Sequence, residues 1–218
     1  MSTRGVITFV FDDGYEQVYQ NVVPLLRQYN IPAVFALALD AERLENTEQR
    51  KIRPYPRWLH LRTEGHELAA HSVTHTNLTK VPHKQREDEL KRPAEALNAS
   101  TFVYPGGAYN DEVIELAKKY FTSARTIQPG FESLRPQKPY ALKSYNFSRR
   151  NFSVYKVNAL ALWAYSTNSW FIETYHMIDD DEHEKMHTVR TEDLARHLRF
   201  VSRLPIAVKT IRDVINSN

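Results

Sequence analysis

The stretch GVITFVF, residues 5–11, is β-branched, aromatic and almost wholly apolar. A strand with no polar face reads as one buried on both sides, as in a parallel sheet covered by helices. Similar runs recur along the chain. IPAVFALAL (31–39) is a second such strand, and ELAAHS (67–72) a short third after Gly65. STFVYPGG (100–107) is a fourth, closed by a Pro-Gly-Gly turn. TSARTI (122–127), SWFIETYHMI (169–178) and PIAVKTI (205–211) are further candidates.

Helical spacing fills the intervals. EQVYQNVVPLLRQYN (16–30) has it, with Pro24 marking either a kink or a late first turn. HKQREDELKRPAEAL (83–97) reads as a charged surface helix interrupted at Pro93. NDEVIELAKKYF (110–121) has Asn110 as N-cap, and TEDLARHLRFVSRL precedes the last strand with Thr191 as its cap. Strands alternating with helices predict a parallel α/β sheet. About seven short strands in this length suit a closed or nearly closed barrel. No repeat or boundary divides residues 1–218, so a single domain is expected. Residues 128–160 show the weakest patterning and are expected to be irregular.

Composition narrows the function. Net charge is only +3 and no Lys/Arg block dominates a segment, which argues against a dedicated nucleic-acid binder. The absence of cysteine excludes disulfides, thiolate metal sites and Cys nucleophiles. No apolar stretch approaches a membrane span. The N-terminal residues enter a strand with no basic and apolar leader before them, so cytoplasmic residence is the expectation, although a trimmed leader would look the same.

The first strand ends in two adjacent carboxylates, Asp12 and Asp13, followed by Gly14. Like charges at a core edge need an offset, either a bound cation or a proton shared or handed on. His71 and His75 follow the third strand, Pro105 to Gly107 end the fourth, and His176 ends a late one. In such folds ligands bind beyond the carboxyl ends of the strands. Four polar signals therefore share one rim. An HxxxH pair on a helical turn projects from one face, a geometry suited to two ligands of one metal. Two histidines and a carboxylate form a catalytic rather than structural set, and the second carboxylate can take a proton.

The segments TFVFDDG, HSVTH, VYPGG and TYHM resemble, in order, the motifs of the polysaccharide deacetylases, the NodB-homology domain of carbohydrate esterase family 4. The resemblance implies a distorted (β/α) barrel and metal-dependent removal of acetyl groups from N-acetylated sugars or glycoconjugates. By position, it makes Asp12 the general base and Asp13, His71 and His75 the ligands of one divalent metal, zinc first, with cobalt or nickel possible. It makes His176 the general acid. Gly106 stands where the family commonly has Tyr, whose backbone N–H contributes to the oxyanion hole. Two departures stand out. The family's base-holding arginine position is Val103 here. The family's acid-orienting Asp has no counterpart, because residues 126–178 contain no Asp and only two acids, Glu132 and Glu173. Arg125, ending the strand next to that of Val103, is the candidate to hold Asp12. A surface arginine paired with a helix acid is the competing reading.

HEKMH (183–187) matches the HExxH pattern of zinc peptidases, but it follows a run of acids and is read as a polar loop. His60, His66, His83 and His197 have no partner at ligand spacing and are read as surface residues. Trp58, Trp163, Trp170 and Tyr109 are read as core packing or as platforms for sugar rings. The competing functions are hydrolysis of another small amide on the same barrel and non-catalytic sugar binding.

Overall fold

The computed structural model describes residues 4–181 and 185–217. The chain begins with β1 (Val6–Phe11), α1 (Glu16–Asn21), α2 (Val23–Tyr29), β2 (Val34–Leu37), α3 (Ala41–Glu48) and β3 (Glu67–Ala70). It continues with α4 (His83–Ala96), β4 (Thr101–Val103), α5 (Asp111–Ala117), β5 (Ser123–Arg125) and β6 (Tyr145–Asn146). Then follow α6 (Val154–Thr167), β7 (Trp170–Tyr175), β8 (Met177–Ile178), β9 (Thr188–Val189), α7 (Thr191–Val201), β10 (Ala207–Val208) and α8 (Ile211–Asn216).

Seven parallel strands form a curled half-barrel in the order β5-β4-β3-β2-β1-β7-β6. β10 adds to the lower half of β1, beside Val6 and Ile7, while β2 takes the upper half beside Val10 and Phe11. The alternation of side chains along a strand sorts two cores. Val6 and Val10 of β1 face inward with Val34, Val103 and Ile172. Ile7, Phe9 and Phe11 face outward under the helices. Burying each of these large side chains contributes roughly 1.5–3 kcal/mol. Helix α8 packs Ile211 and Val214 into the inner cluster. Below it, Thr8 Oγ1 donates to Lys209 O (2.7 Å) and accepts from Trp170 Nε1 (2.8 Å). Asp12, two residues beyond Val10, continues the inward face at the barrel mouth.

Several expectations are corrected. The run at 16–30 is two helices rather than one, although Pro24 does mark a first turn, that of the second, as one of its two readings had it. Helix α4 continues through Pro93. The segment 128–160 is not wholly irregular, since it holds β6 and the start of α6. Trp163, on α6, is 58% exposed rather than packed, whereas Trp58 and Trp170 are fully buried. Thr191 is the first residue of α7, not its cap. His66 and His197 are buried, not superficial. The His66 ring accepts from Ala33 N through Nδ1 (3.1 Å), and His197 Nε2 lies 3.0 Å from Glu173 Oε1. A buried imidazole needs such a partner. No helix among the described residues is long and apolar enough to cross a membrane.

Candidate active site

On a flat strand Asp12 and Asp13 would point to opposite faces. The backbone prevents this. Asp12 N still bonds Tyr175 O (2.9 Å), but Asp13 adopts φ +71° and Gly14 φ +74°. The chain turns over at once and brings both carboxylates to one cavity of about 280 Å³. A Cβ on Gly14 would meet Leu37 Cδ2 at 3.0 Å, in a conformation that disfavours other residues.

His71 and His75 do not lie on a helical turn, contrary to expectation. They occupy an irregular loop after β3 in which Ser72 (φ +66°) and His75 (φ +56°) are left-handed. Ser72 Oγ accepts from His75 N (2.8 Å). Glu89 of α4 fastens the same loop, accepting from Val73 N, Thr74 N and Thr74 Oγ1 at 2.8, 2.9 and 2.6 Å. The Glu89 contact was not legible in the sequence, where it is one acid of a charged helix.

The result is a convergent set of donors. His71 Nε2 and His75 Nε2 stand 3.4 and 3.3 Å from Asp13 Oδ1. All three ligand atoms lie within 4.8 Å of one another. Asp13 Oδ1 is buried and has no hydrogen-bond partner among the described residues. His71 Nδ1 is 2.8 Å from Val103 O, so it donates there and leaves the Nε2 lone pair facing Asp13. Burial alone would raise the Asp13 carboxyl, but His71, His176 and His75 pull it well below the usual carboxylate range. Burial, with the charge of His71, pushes the His75 imidazole down to about 4, so it is neutral and able to ligate near neutral pH. An ionised carboxylate and two imidazoles whose Nε2 atoms face its orphaned oxygen fit a divalent cation, which would take the place of the proton that Asp13 and Asp12 favour on His71.

Arg125 Nη2 donates to both oxygens of Asp12, at 2.6 and 2.5 Å, and is itself 1% exposed. One nitrogen serves both oxygens, so the contact is not the two-pronged one expected of a guanidinium. His176 Nε2 is 3.9 Å from Asp12 Oδ2. Gly106 lines the cavity at φ +59°, and a Cβ there would meet nothing within 4 Å, so a Tyr-sized wall is replaced by open space. Tyr109 stacks on Tyr104 (ring centroids 5.1 Å apart) beside this opening. Sequence reasoning did not mark Tyr15, Glu48, Ile127 and Asn146, which line the cavity, and it read His187, also there, only as the end of the polar HEKMH loop. Tyr15 OH donates to Glu48 Oε2 (3.3 Å), and the His187 ring lies 5.4 Å from that of His176. His183 and Glu184 of the HEKMH segment lie outside the described residues.

The polysaccharide deacetylase family model matches residues 2–123, which carry Asp12, Asp13, His71 and His75. The chain belongs to the polysaccharide deacetylase family. "Putative polysaccharide deacetylase YxkH" of Bacillus subtilis (strain 168) is 24% identical over 144 residues, 62% of this chain and 49% of that protein. The chain thus spans about half the length of this curated deacetylase relative. Among solved deacetylase-fold structures, the Xyl-CE4 domain of a multidomain xylanase from the hindgut metagenome of Trinervitermes trinervoides is similar at TM-score 0.64 and 17% identity. That match covers 99% of this chain and 91% of the domain. The Bc1960 peptidoglycan N-acetylglucosamine deacetylase is similar at TM-score 0.61 and 15% identity, over 98% and 89% of the two chains. At these identities the likeness establishes a shared fold.

Proposed function

We propose that this deacetylase-family chain hydrolyses the N-acetyl group of an amino sugar, in a saccharide or glycoconjugate, to free amine and acetate. One observation carries the reading: an arginine-held carboxylate, Asp12, shares one cavity with the orphaned oxygen of Asp13 and with the imidazole of His176, whose Nε2 is 3.9 Å from Asp12 Oδ2. Base, ligand set and acid are then within reach of one bound acetamide.

Asp13, His71 and His75 would hold the divalent metal, zinc first, with cobalt or nickel as alternatives. That metal, when bound, supplies Lewis-acid polarisation of the acetyl carbonyl and acidifies water. Asp12 takes a proton from the attacking water. Arg125 keeps Asp12 aimed through its contact with both carboxylate oxygens, so the base costs little reorganisation. The Gly106 backbone N–H, at the cavity wall, is offered to the oxygen that becomes negative. His176 gives its proton to the departing nitrogen, which as an amide anion would not leave. A sugar alkoxide also leaves more readily when protonated, so His176 can serve either bond; the amide nitrogen needs that proton most.

The test measures metal content and acetate release together on a panel of N-acetyl amino sugars, O-acetyl sugars and small N-acyl amines. Release from N-acetyl sugars, dependent on one metal per chain, is the expected result. Stoichiometric metal with release only from small amides would overturn the sugar assignment, and binding without release would make the chain a sugar-binding relative.

A further inference from the structure

Three buried polar atoms at one place in the barrel mouth have no hydrogen-bond partner among the described residues: Asn146 Oδ1, Thr174 Oγ1 and His176 Nδ1. Such atoms are rare in folded proteins and call for an explanation. The sheet register gathers them. Asn146 of β6 is paired with Thr174 of β7, and His176 follows two residues later. Asn146 and His176 both line the cavity. Asn146 Oδ1 is an acceptor, the Thr174 hydroxyl can accept or donate, and Nδ1–H of the imidazole is a donor.

The acids that could have filled this role are occupied elsewhere. Glu173 points to the opposite face of β7, where it takes Tyr175 OH (2.6 Å) and His197 Nε2. Glu132 accepts from Lys143 N (2.9 Å).

We propose that Asn146 is the positioning residue of His176, its side-chain carbonyl accepting Nδ1–H either after a rotation of the amide or through one water shared with Thr174 Oγ1. A water with three polar partners meets the usual requirement for an ordered buried site. The amide serves both states of the acid, because Nδ1–H is present before and after Nε2 gives up its proton. It fixes the ring with Nε2 toward the substrate, as an outer partner fixes a ligand histidine. Being neutral, it aims His176 without adding a charge. The proposal rests on the reading of His176 as general acid.

The other groups facing His176 are Asp12, Asp13, His75 and His187. They stay constant in Asn146 variants, so changes report on position 146. The test combines two readouts on the zinc-loaded protein: the His176 imidazole titration by NMR, and the ratio of N-acetyl to activated-ester hydrolysis. Asn146→Ala should lower amide turnover by roughly ten- to a hundredfold with ester turnover and zinc content kept. Asn146→Asp should restore amide turnover, raise the His176 titration midpoint, and move the alkaline limb of kcat/KM upward with it. An unmoved His176 titration in both variants would overturn the proposal. A moved titration in a protein that releases no acetate would keep the contact and reject the proposed activity instead.

Discussion

The Arg125 guanidinium rests on the Asp12 carboxylate through a single nitrogen, 2.6 and 2.5 Å from its two oxygens, with both side chains buried. Arg125 Nε has no partner among the described residues. The contact is therefore one charge placed symmetrically on another. A lysine ammonium can approach that arrangement; an apolar chain cannot. Arg125→Lys should lower kcat several-fold and Arg125→Met by about 10²-fold, as expected for a misplaced base. Metal content should be kept in both. Equal losses in the two variants would show that the planar fork, not the charge, matters.

Asp12 and Asp13 are neighbours in sequence, and the proposed mechanism gives them different tasks. Asp12→Asn should retain metal and lose turnover by roughly 10²–10⁴-fold, the worth of a general base. Asp13→Asn, His71→Ala and His75→Ala should each lose metal, measured by elemental analysis after dialysis. An exchange of phenotype between the two aspartates would reverse their roles.

His176→Ala should leave metal content unchanged. It should depress hydrolysis of N-acetyl substrates far more than that of nitrophenyl acetate, whose leaving group departs without a proton. A uniform loss on both would make His176 a binding rather than an acid residue.

Glu67 of β3 gives a pH-dependent term in stability. Burial raises its carboxyl above the ordinary 4.5, offset in part by the Arg212 backbone N–H that donates to Oε2 at 2.8 Å. A carboxyl with a raised folded pKa contributes stability while protonated and loses it as pH climbs through the folded value. Glu67→Gln keeps an acceptor and removes the titration. Its Tm should exceed that of the parent at about pH 8, and the gain should vanish at about pH 4. A gain independent of pH would point to packing instead.

The parts of this architecture that the sequence made legible are those where one physical signal suffices. β1 and β2 are almost wholly apolar because they are buried on both faces. The place of Arg125, at the end of β5 and beside β4, follows from strand order. The misread parts need information from far along the chain. His197 reads as a surface residue until Glu173, 24 positions away, is set against it. The buried side of helix α6 is not marked by a 3.6-residue rhythm, because its outer side is also apolar, with Tyr155 90% and Trp163 58% exposed. The HxxxH pair suggested a helix, yet two left-handed residues, Ser72 and His75, bring the rings together without one.

Asp13 and the pair His71 and His75 belong to segments of chain that meet only when β1 and β3 are joined through β2. The unfolded chain has no such grouping, so a cation bound there acts as a removable cross-link on the native state. Thermal stability becomes a gauge of free metal. At a free concentration a hundredfold above Kd, the native state gains about 2.7 kcal/mol. A chelator titration followed by melting temperature reads the same ligand set without any substrate, and links how tightly the ion is held to how long the barrel endures.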